Sequence, residues 1–377
     1  MFTEFTYLVF AVTLLFGVCN KKEKPTEKKS EKVEYIAAVS YEGLFNLFPK
    51  DIKNQKGKPS SAELSGVVFV NNQIILVNDK AIPGYSPVIT MPYQVPLPEN
   101  EMEYYVAKPF IESHKFEDIT ITPQQNYLLA ITSFDRVGET EDLVGFNNLL
   151  YWTPEKPDDV KYINDTKTKA QNSLSLRPHL SKLLANKQFP DGVPYFKIEG
   201  LMVLPDNKLV FGIRESGATY ESFNYQITMI AVSYQVHNQT IQLSNDYAIA
   251  YDWKPKSDDN IVHPLGLSSI EYDQFNNRIY LLTSFEINKK DTQIGAYLWI
   301  LSMENYKQGK SPVLVRKKNG DPLRFSHKAE GIAIVDKSTV FIIYDDDKIL
   351  ELGKKEKGKI TERDINENVY SVVTFKK

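Results

Sequence analysis

Short apolar runs, each closed by a turn signal and followed by another run, recur from about residue 33 to the end of the chain. Segments 149–153, 225–236, 247–253 and 297–302 are of this kind. They are rich in the β-branched and aromatic types that suit a pleated, half-buried surface. Comparing the chain with itself makes the pattern specific. His114-Lys115-Phe116-Glu117-Asp118-Ile119, Phe196-Lys197-Ile198-Glu199-Gly200-Leu201 and His327-Lys328-Ala329-Glu330-Gly331-Ile332 align closely. Each leads into a short strand, a turn, and a second apolar strand that ends in polar residues. In the second copy the turn is Pro205-Asp206-Asn207 and the second strand ends at Arg214. Looser copies begin at Leu64-Ser65-Gly66-Val67 and Leu267-Ser268-Ser269-Ile270, with Ser65 and Ser268 in place of the glutamate.

Each repeat therefore carries about four strands, and a four-stranded antiparallel sheet repeated radially is a β-propeller blade. The expected fold is all-β, a single propeller of five or six four-stranded blades. In it the N-terminal strand (33–41) and the C-terminal strand (369–375) pair in one blade and close the ring. One insertion departs from the pattern. Leu176, Leu180, Leu183 and Leu184 recur at helical spacing, which predicts one short helix on a propeller face with Ser175 as its N-cap.

Composition agrees with this picture. Among 377 residues there are 22 Tyr, 20 Phe and 3 Trp, and the formal net charge is −3. Such a balance excludes nucleic acid as a partner, because phosphates demand a strongly basic face. The single cysteine, Cys19, excludes an intramolecular disulfide framework and a Cys-rich zinc site. Its position is informative. Residues 5–18 form an apolar stretch of 14, shorter than the roughly 20 needed to span a bilayer and of the length of a secretory apolar core. Residues 20–33 carry six Lys and three Glu with no large apolar residue before Val33, the composition of a flexible tether.

An apolar core ending at a lone cysteine resembles a bacterial lipoprotein signal, in which the peptide is cut before the cysteine and the thiol takes a lipid. That resemblance implies three parts: a signal peptide (1–18), a lipidated Cys19 with its Lys-rich tether (19–32), and the propeller (33–377). It implies a monomer held by its lipid at the outer membrane of the cell envelope, on the periplasmic face or the cell surface. A buried apolar helix or a plain short anchor is the alternative for residues 5–18.

In a propeller the first strand of each blade lines the central channel. Glu117, Glu199 and Glu330 should then converge at one mouth, where the ends of the second strands add Asp79, Asp135, Arg214, Glu286, Asp345 and Asp346. Crowded carboxylates repel one another, so a cation must offset them. Calcium, a hard cation taking 6–8 oxygens, is one candidate, with Glu117, Glu199, Glu330, Asp345 and Asp346 as the metal set. The alternative is a self-neutralised ring, because Lys115, Lys197 and Lys328 stand two residues before the glutamates and so share their face. Arg214 could hold a carboxylate or phosphate of a ligand, or pair with Glu199 or Glu330. His114 and His327, three residues before two of the glutamates, are weaker candidates, expected on hydrogen-bonded or surface loops. No phosphate loop, nucleophile elbow or His-Glu-x-x-His motif is present.

Across about residues 60–350 the chain resembles the phytase-like propellers, the family described as "esterase-like activity of phytase". The matching positions are Ser65-Gly66, Glu199-Gly200 and Glu330-Gly331 at blade starts, with Asp79 and Asp345 near the ends of the next strands. Glu117-Asp118 and Glu199-Gly200 are also similar to the metal-bearing starts of gluconolactonase-like and paraoxonase-like lactonases. These resemblances imply the propeller, and for the activity a calcium-dependent hydrolase of phosphoesters or lactones. The residues themselves point first to a lipid-anchored protein that binds a small molecule or protein partner at the channel, with the hydrolase as the alternative. A purely structural envelope component is the third possibility.

Overall fold

Every strand of the structure lies in one of five antiparallel sheets. The computed structural model describes residues 34–54, 56–98, 101–136, 141–165, 170–256, 261–287, 293–346 and 362–376, with the backbone alone at 141 and 142. All of these belong to one unit, Glu34–Lys377. Cys19, the apolar stretch before it and the tether lie outside the described residues.

Strand β1 (Ala37–Asn46) comes first and is set aside until the end of the chain. The first blade is β2 (Leu64–Val70), β3 (Gln73–Asn78), β4 (Val88–Pro92) and β5 (Glu103–Tyr104). The second is β6 (Phe116–Ile121), β7 (Leu128–Thr132), β8 (Leu149–Thr153) and β9 (Lys156–Tyr162). The third is β10 (Tyr195–Leu204), β11 (Lys208–Thr219) and β12 (Ser222–His237). Its outer position is shared by β13 (Thr240–Leu243) and β14 (Ala248–Asp252), both paired with β12. The fourth is β15 (Gly266–Asp273), β16 (Arg278–Ile287) and β17 (Gln293–Ser302), with β18 (Val313–Leu314) and β19 (Arg324–Phe325) both on β17. The fifth holds β20 (Ala329–Asp336), β21 (Thr339–Tyr344), β22 (Glu367–Phe375) and, outermost, β1.

The count is thus five blades, and the terminal strands do close the ring: β22 lies between β21 and β1, paired with β1 from Ala37↔Phe375 to Asn46↔Glu367 with one register shift between Val39 and Tyr41. Both faces of each inner sheet are apolar because both face another blade. Val67 packs into the seam with the fifth blade, while Val68, its neighbour on the pleat, packs into the seam with the second. Five buried apolar clusters occupy the five seams, one each. At about 25 cal/mol per Å2 this burial is the main force holding the ring. The tight hairpin between β2 and β3 is made by Asn71 and Asn72, both at positive φ (52° and 60°), which suits the twist of the flanking strands.

The predicted helix is present as a 3-10 turn (Leu174–Leu176) running into an α-helix (Arg177–Leu183). Leu176 and Leu180 bury in the seam between the second and third blades, with Leu183 and Leu184 against it. The cap differs from expectation: the helix makes no side-chain cap hydrogen bond, and Ser175 Oγ instead accepts from the backbone N–H of Asp165. Arg177 fixes the helix, donating to the carbonyls of Phe134 and Pro194 and lying over the Phe196 ring.

Candidate functional site

The inner strands share one irregularity. Register shifts fall between Leu64 and Gly66, Phe116 and Asp118, Ile198 and Gly200, Leu267 and Ser269, and Ala329 and Gly331. The residue left without a ladder partner is Ser65, Glu117, Glu199, Ser268 or Glu330, the aligned position of each repeat. A bulge re-aims its side chain, and its recurrence at one position in five blades marks it as a built feature of the fold. Glycine follows the bulge in three blades because the inner strands come close there. A Cβ on Gly66 would stand 2.7 Å from Asp118 Cα, and one on Gly331 would stand 3.1 Å from Gly66 Cα.

Contacts show that these residues converge. Lys197 Nζ bonds Glu199 on its own strand and lies 3.2 Å from Glu117 of the second blade. Lys115 Nζ lies 2.5 Å from Asp135 and 3.7 Å from Glu117. Lys328 Nζ lies 3.2 Å from Glu330. Glu199 and Glu330 share a carboxyl–carboxylate hydrogen bond although the fourth blade lies between theirs. Into that gap comes Arg214, whose Nη1 donates to Leu267 O (2.9 Å), Ser268 Oγ (2.9 Å) and Ser284 Oγ (3.0 Å) and sits 3.4 Å from Glu199. Small residues of the fourth blade make the room: a Cβ on Gly266 would stand 3.1 Å from Arg214 Cγ. Glu215 completes the group, 3.6 Å from Arg214 Nε and accepting from Tyr195 OH at 2.5 Å.

Burial and neighbours divide the carboxyls into two kinds. Burial pushes Glu199 up, but Arg214, Lys197 and Lys328 outweigh it and hold it at about 2, ionised. Asp135 is likewise lowered, Lys115 overcoming its burial. Burial raises Glu330 well above the usual carboxylate range, with the Glu199 charge adding to it. Burial and Glu199 do the same to Glu117, against the opposing lysines. Asp79 is raised too, by burial. Glu330 therefore donates the hydrogen bond and Glu199 accepts it. Deeper in the channel Asp118 Oδ2 accepts from Leu201 N (2.8 Å) and Ser269 Oγ (3.2 Å), knitting the second, third and fourth blades. Burial also raises Asp118 and Glu271 well above the usual range.

The expected calcium set is not assembled as a ligand sphere. The Lys197 ammonium stands between Glu117 and Glu199, where a cation held by them would sit. Asp346 is also engaged elsewhere: it pairs with His327 Nδ1 at 2.8 Å and accepts from Lys328 N at 3.0 Å, with Arg363 Nε at 3.9 Å. Among the described residues the acidic side chains within metal-holding range are Glu63, Asp79 and Asp345, whose oxygens lie within 4.8 Å of one another. Lys80 bonds Glu63 at this cluster. Glu63 was not among the candidates from sequence. It stands two residues before the bulge, where the second, third and fifth blades carry Lys115, Lys197 and Lys328, so the first blade has the opposite charge at the shared position.

The remaining candidates separate. His327 is a hydrogen-bonded loop histidine, just before β20, paired with Asp346 and buried against Tyr344 (ring centroids 5.1 Å). His114 lies against Phe146 at 5.5 Å, so the two histidines serve different neighbours. Glu286 lies near the end of β16, opposite Ile294. Outside the Glu199–Glu330 pair, two buried atoms of the bulge ring make no hydrogen bond: Ser65 Oγ and Glu117 Oε1. Lys197 Nζ lies 3.2 Å from Glu117 Oε1, outside hydrogen-bonding geometry.

No family model matches the chain. No curated protein matches it either. Similar solved structures include a DUF4221-family protein from Bacteroides vulgatus (8% identity over 91% of this chain and 99% of that one, TM-score 0.43). Others are a DUF4623-family protein from Bacteroides eggerthii (10% identity, 92% and 78%, TM-score 0.42) and the PQQ-bound aldose sugar dehydrogenase of Streptomyces coelicolor (9% identity, 90% and 100%, TM-score 0.38). The five-bladed ring stands on the strand pairing described above, independently of these likenesses.

Proposed function

We propose that the chain is a ligand-binding propeller whose site is the channel mouth, and that its ligand is a small polar molecule bearing hydroxyl or ammonium donors. The observation that carries this reading is the bulge ring, in which Ser65 Oγ and Glu117 Oε1 are buried without a hydrogen bond. An unmade buried hydrogen bond costs about 1–3 kcal/mol, and a donor-bearing ligand would relieve both. Thermal unfolding against a panel of polyols, amines and amino acids tests it. A compound that raises the melting temperature of the wild type and loses that effect in Ser65→Ala and Glu117→Gln is expected. No shift across the panel, with both variants more stable than the wild type, would leave the ring a structural device and overturn the reading.

One observation favours a second reading, the calcium-dependent hydrolase. Glu63, Asp79 and Asp345 can offer up to six carboxylate oxygens, the lower end of the calcium range. Stabilisation by calcium, reversed by EDTA and absent in Asp79→Asn, would support it; turnover of phosphoester or lactone substrates would then decide for the enzyme. For location, the lone Cys19 after an apolar stretch supports a lipid anchor at the cell envelope. Cys19→Ala should move the protein from the detergent phase to the aqueous phase, and continued partition into detergent would refute the anchor.

A further inference from the structure

A second cleft lies away from the mouth, where the inner-to-second hairpins turn. It encloses about 300 Å3 at the edge of the second and third blades, near the lower limit of small-molecule sites. One wall is aromatic: the half-buried Tyr127 faces the cleft, backed edge to face by the buried Tyr151 with ring centroids 6.0 Å apart. The rim is polar. Gln125 comes from the β6–β7 turn, Gln239 from the β12–β13 turn, and Asp159 and Lys161 from β9, the last two 3.3 Å apart.

Two features mark the cleft as built for recognition. Gln125 and Gln239 both sit in the left-handed backbone region, at φ 56° and 61°. Glycine or asparagine would hold either turn at less cost, roughly 1 kcal/mol, yet both positions carry a long amide. The turn around Gln125 is fixed by Thr122 Oγ1, which accepts from Asn126 N (3.1 Å) and Tyr127 N (3.2 Å). The second feature is charge. Glu155 and Asp159 are balanced by Lys156 and Lys161, so the lining selects neither an anion nor a cation.

We propose that this cleft binds a neutral saccharide of one to three units. A sugar ring lays its C–H face on an aromatic wall, and its hydroxyls donate and accept at once. Carboxamides match that dual demand, since each offers a donor and an acceptor. The proposal is independent of the ligand at the mouth.

Isothermal titration of the full chain with maltotriose, cellotriose, xylotriose, mannotriose and tri-N-acetylchitotriose tests it. At least one trisaccharide should bind with Kd at or below about 1 mM, an ordinary affinity for a small open site. Tyr127→Ala should weaken that binding about tenfold, a loss of roughly 1.4 kcal/mol. The exposed substitutions Gln239→Ala and Asp159→Asn, which leave the core intact, should each weaken it several-fold. Glu117→Gln at the mouth should leave it unchanged. Absence of binding by all five probes at 10-fold higher concentration would overturn the proposal. So would binding that follows Glu117→Gln and ignores the cleft variants.

Discussion

Glu199 and Glu330 share one hydrogen bond, yet their replacement by glutamine should have opposite consequences. Glu199 is held at about 2 against an ordinary value near 4.5. At 1.36 kcal/mol per unit, that difference makes its charge worth roughly 3 kcal/mol to the folded state. Glu199→Gln removes the charge and leaves Arg214 and Lys197 buried without it, so a loss of about 3 kcal/mol is expected near pH 7. Because its value is lowered, the contribution is present above about pH 4.5 and disappears as pH falls towards 2. Glu330 is shifted the other way. The folded state keeps its proton while the unfolded chain gives it up, so the wild type loses stability as pH rises above about 4.5. Glu330→Gln mimics the protonated carboxyl and can still donate to Glu199. The variant should therefore gain on the wild type by up to about 1.4 kcal/mol per pH unit until the folded carboxyl ionises. Urea unfolding of the three proteins between pH 5 and 8 measures both effects. Equal losses in the two variants, or a wild type and Glu330→Gln that run parallel with pH, would refute the assignment of the shared proton.

Arg214→Met should cost about 3–5 kcal/mol by chemical denaturation, and part of that should return in the double variant with Glu199→Gln, since the orphaned charge is then gone. Strictly additive losses would place the stabilisation of Arg214 in its serine and carbonyl contacts alone. Gly66→Ala drives a Cβ against the Asp118 and Ile119 backbone, at 2.7 and 2.8 Å, and should cost about 3 kcal/mol, the upper part of the range for overpacking; a melting curve identical to the wild type would show that the inner strands can spread. Removing residues 367–377 takes out the strand paired on both edges and should abolish cooperative unfolding in circular dichroism.

The repeats made the ring legible because every blade solves the same problem at its inner strand. The bulge and its charged or hydroxyl side chain recur at one position, with a small residue after it in four of the five blades, so alignment by residue type found Glu117, Glu199 and Glu330 as well as Ser65 and Ser268. The lysines two places earlier were readable for the same reason. Glu63 escaped because it breaks the rule of its position: Lys80, folded back beside it, and the Ser61 hydroxyl make an acid tolerable there. The role of Arg214 was half readable. Its pairing with Glu199 follows from two oppositely charged ends at one mouth. Its hydrogen bonds to the fourth blade depend on the space left by Gly266, which no pattern of charge reveals. Ser175 was misassigned as a cap because a serine before a helical run is a local signal, and the Asp165 backbone competes for the same oxygen.

The closure of the fifth blade also sets an order of events. Strand β1 finds its ladder partner only in β22, the last strand described. During synthesis β1 must therefore wait, with neither edge in a ladder, while some three hundred residues of other blades are made. Four blades can assemble in that interval, but the ring stays open and the seams on either side of the fifth blade stay wet until β22 arrives. For this protein the most dangerous moment for aggregation is thus late, and the strand most in need of a chaperone is β1, made long before its partner.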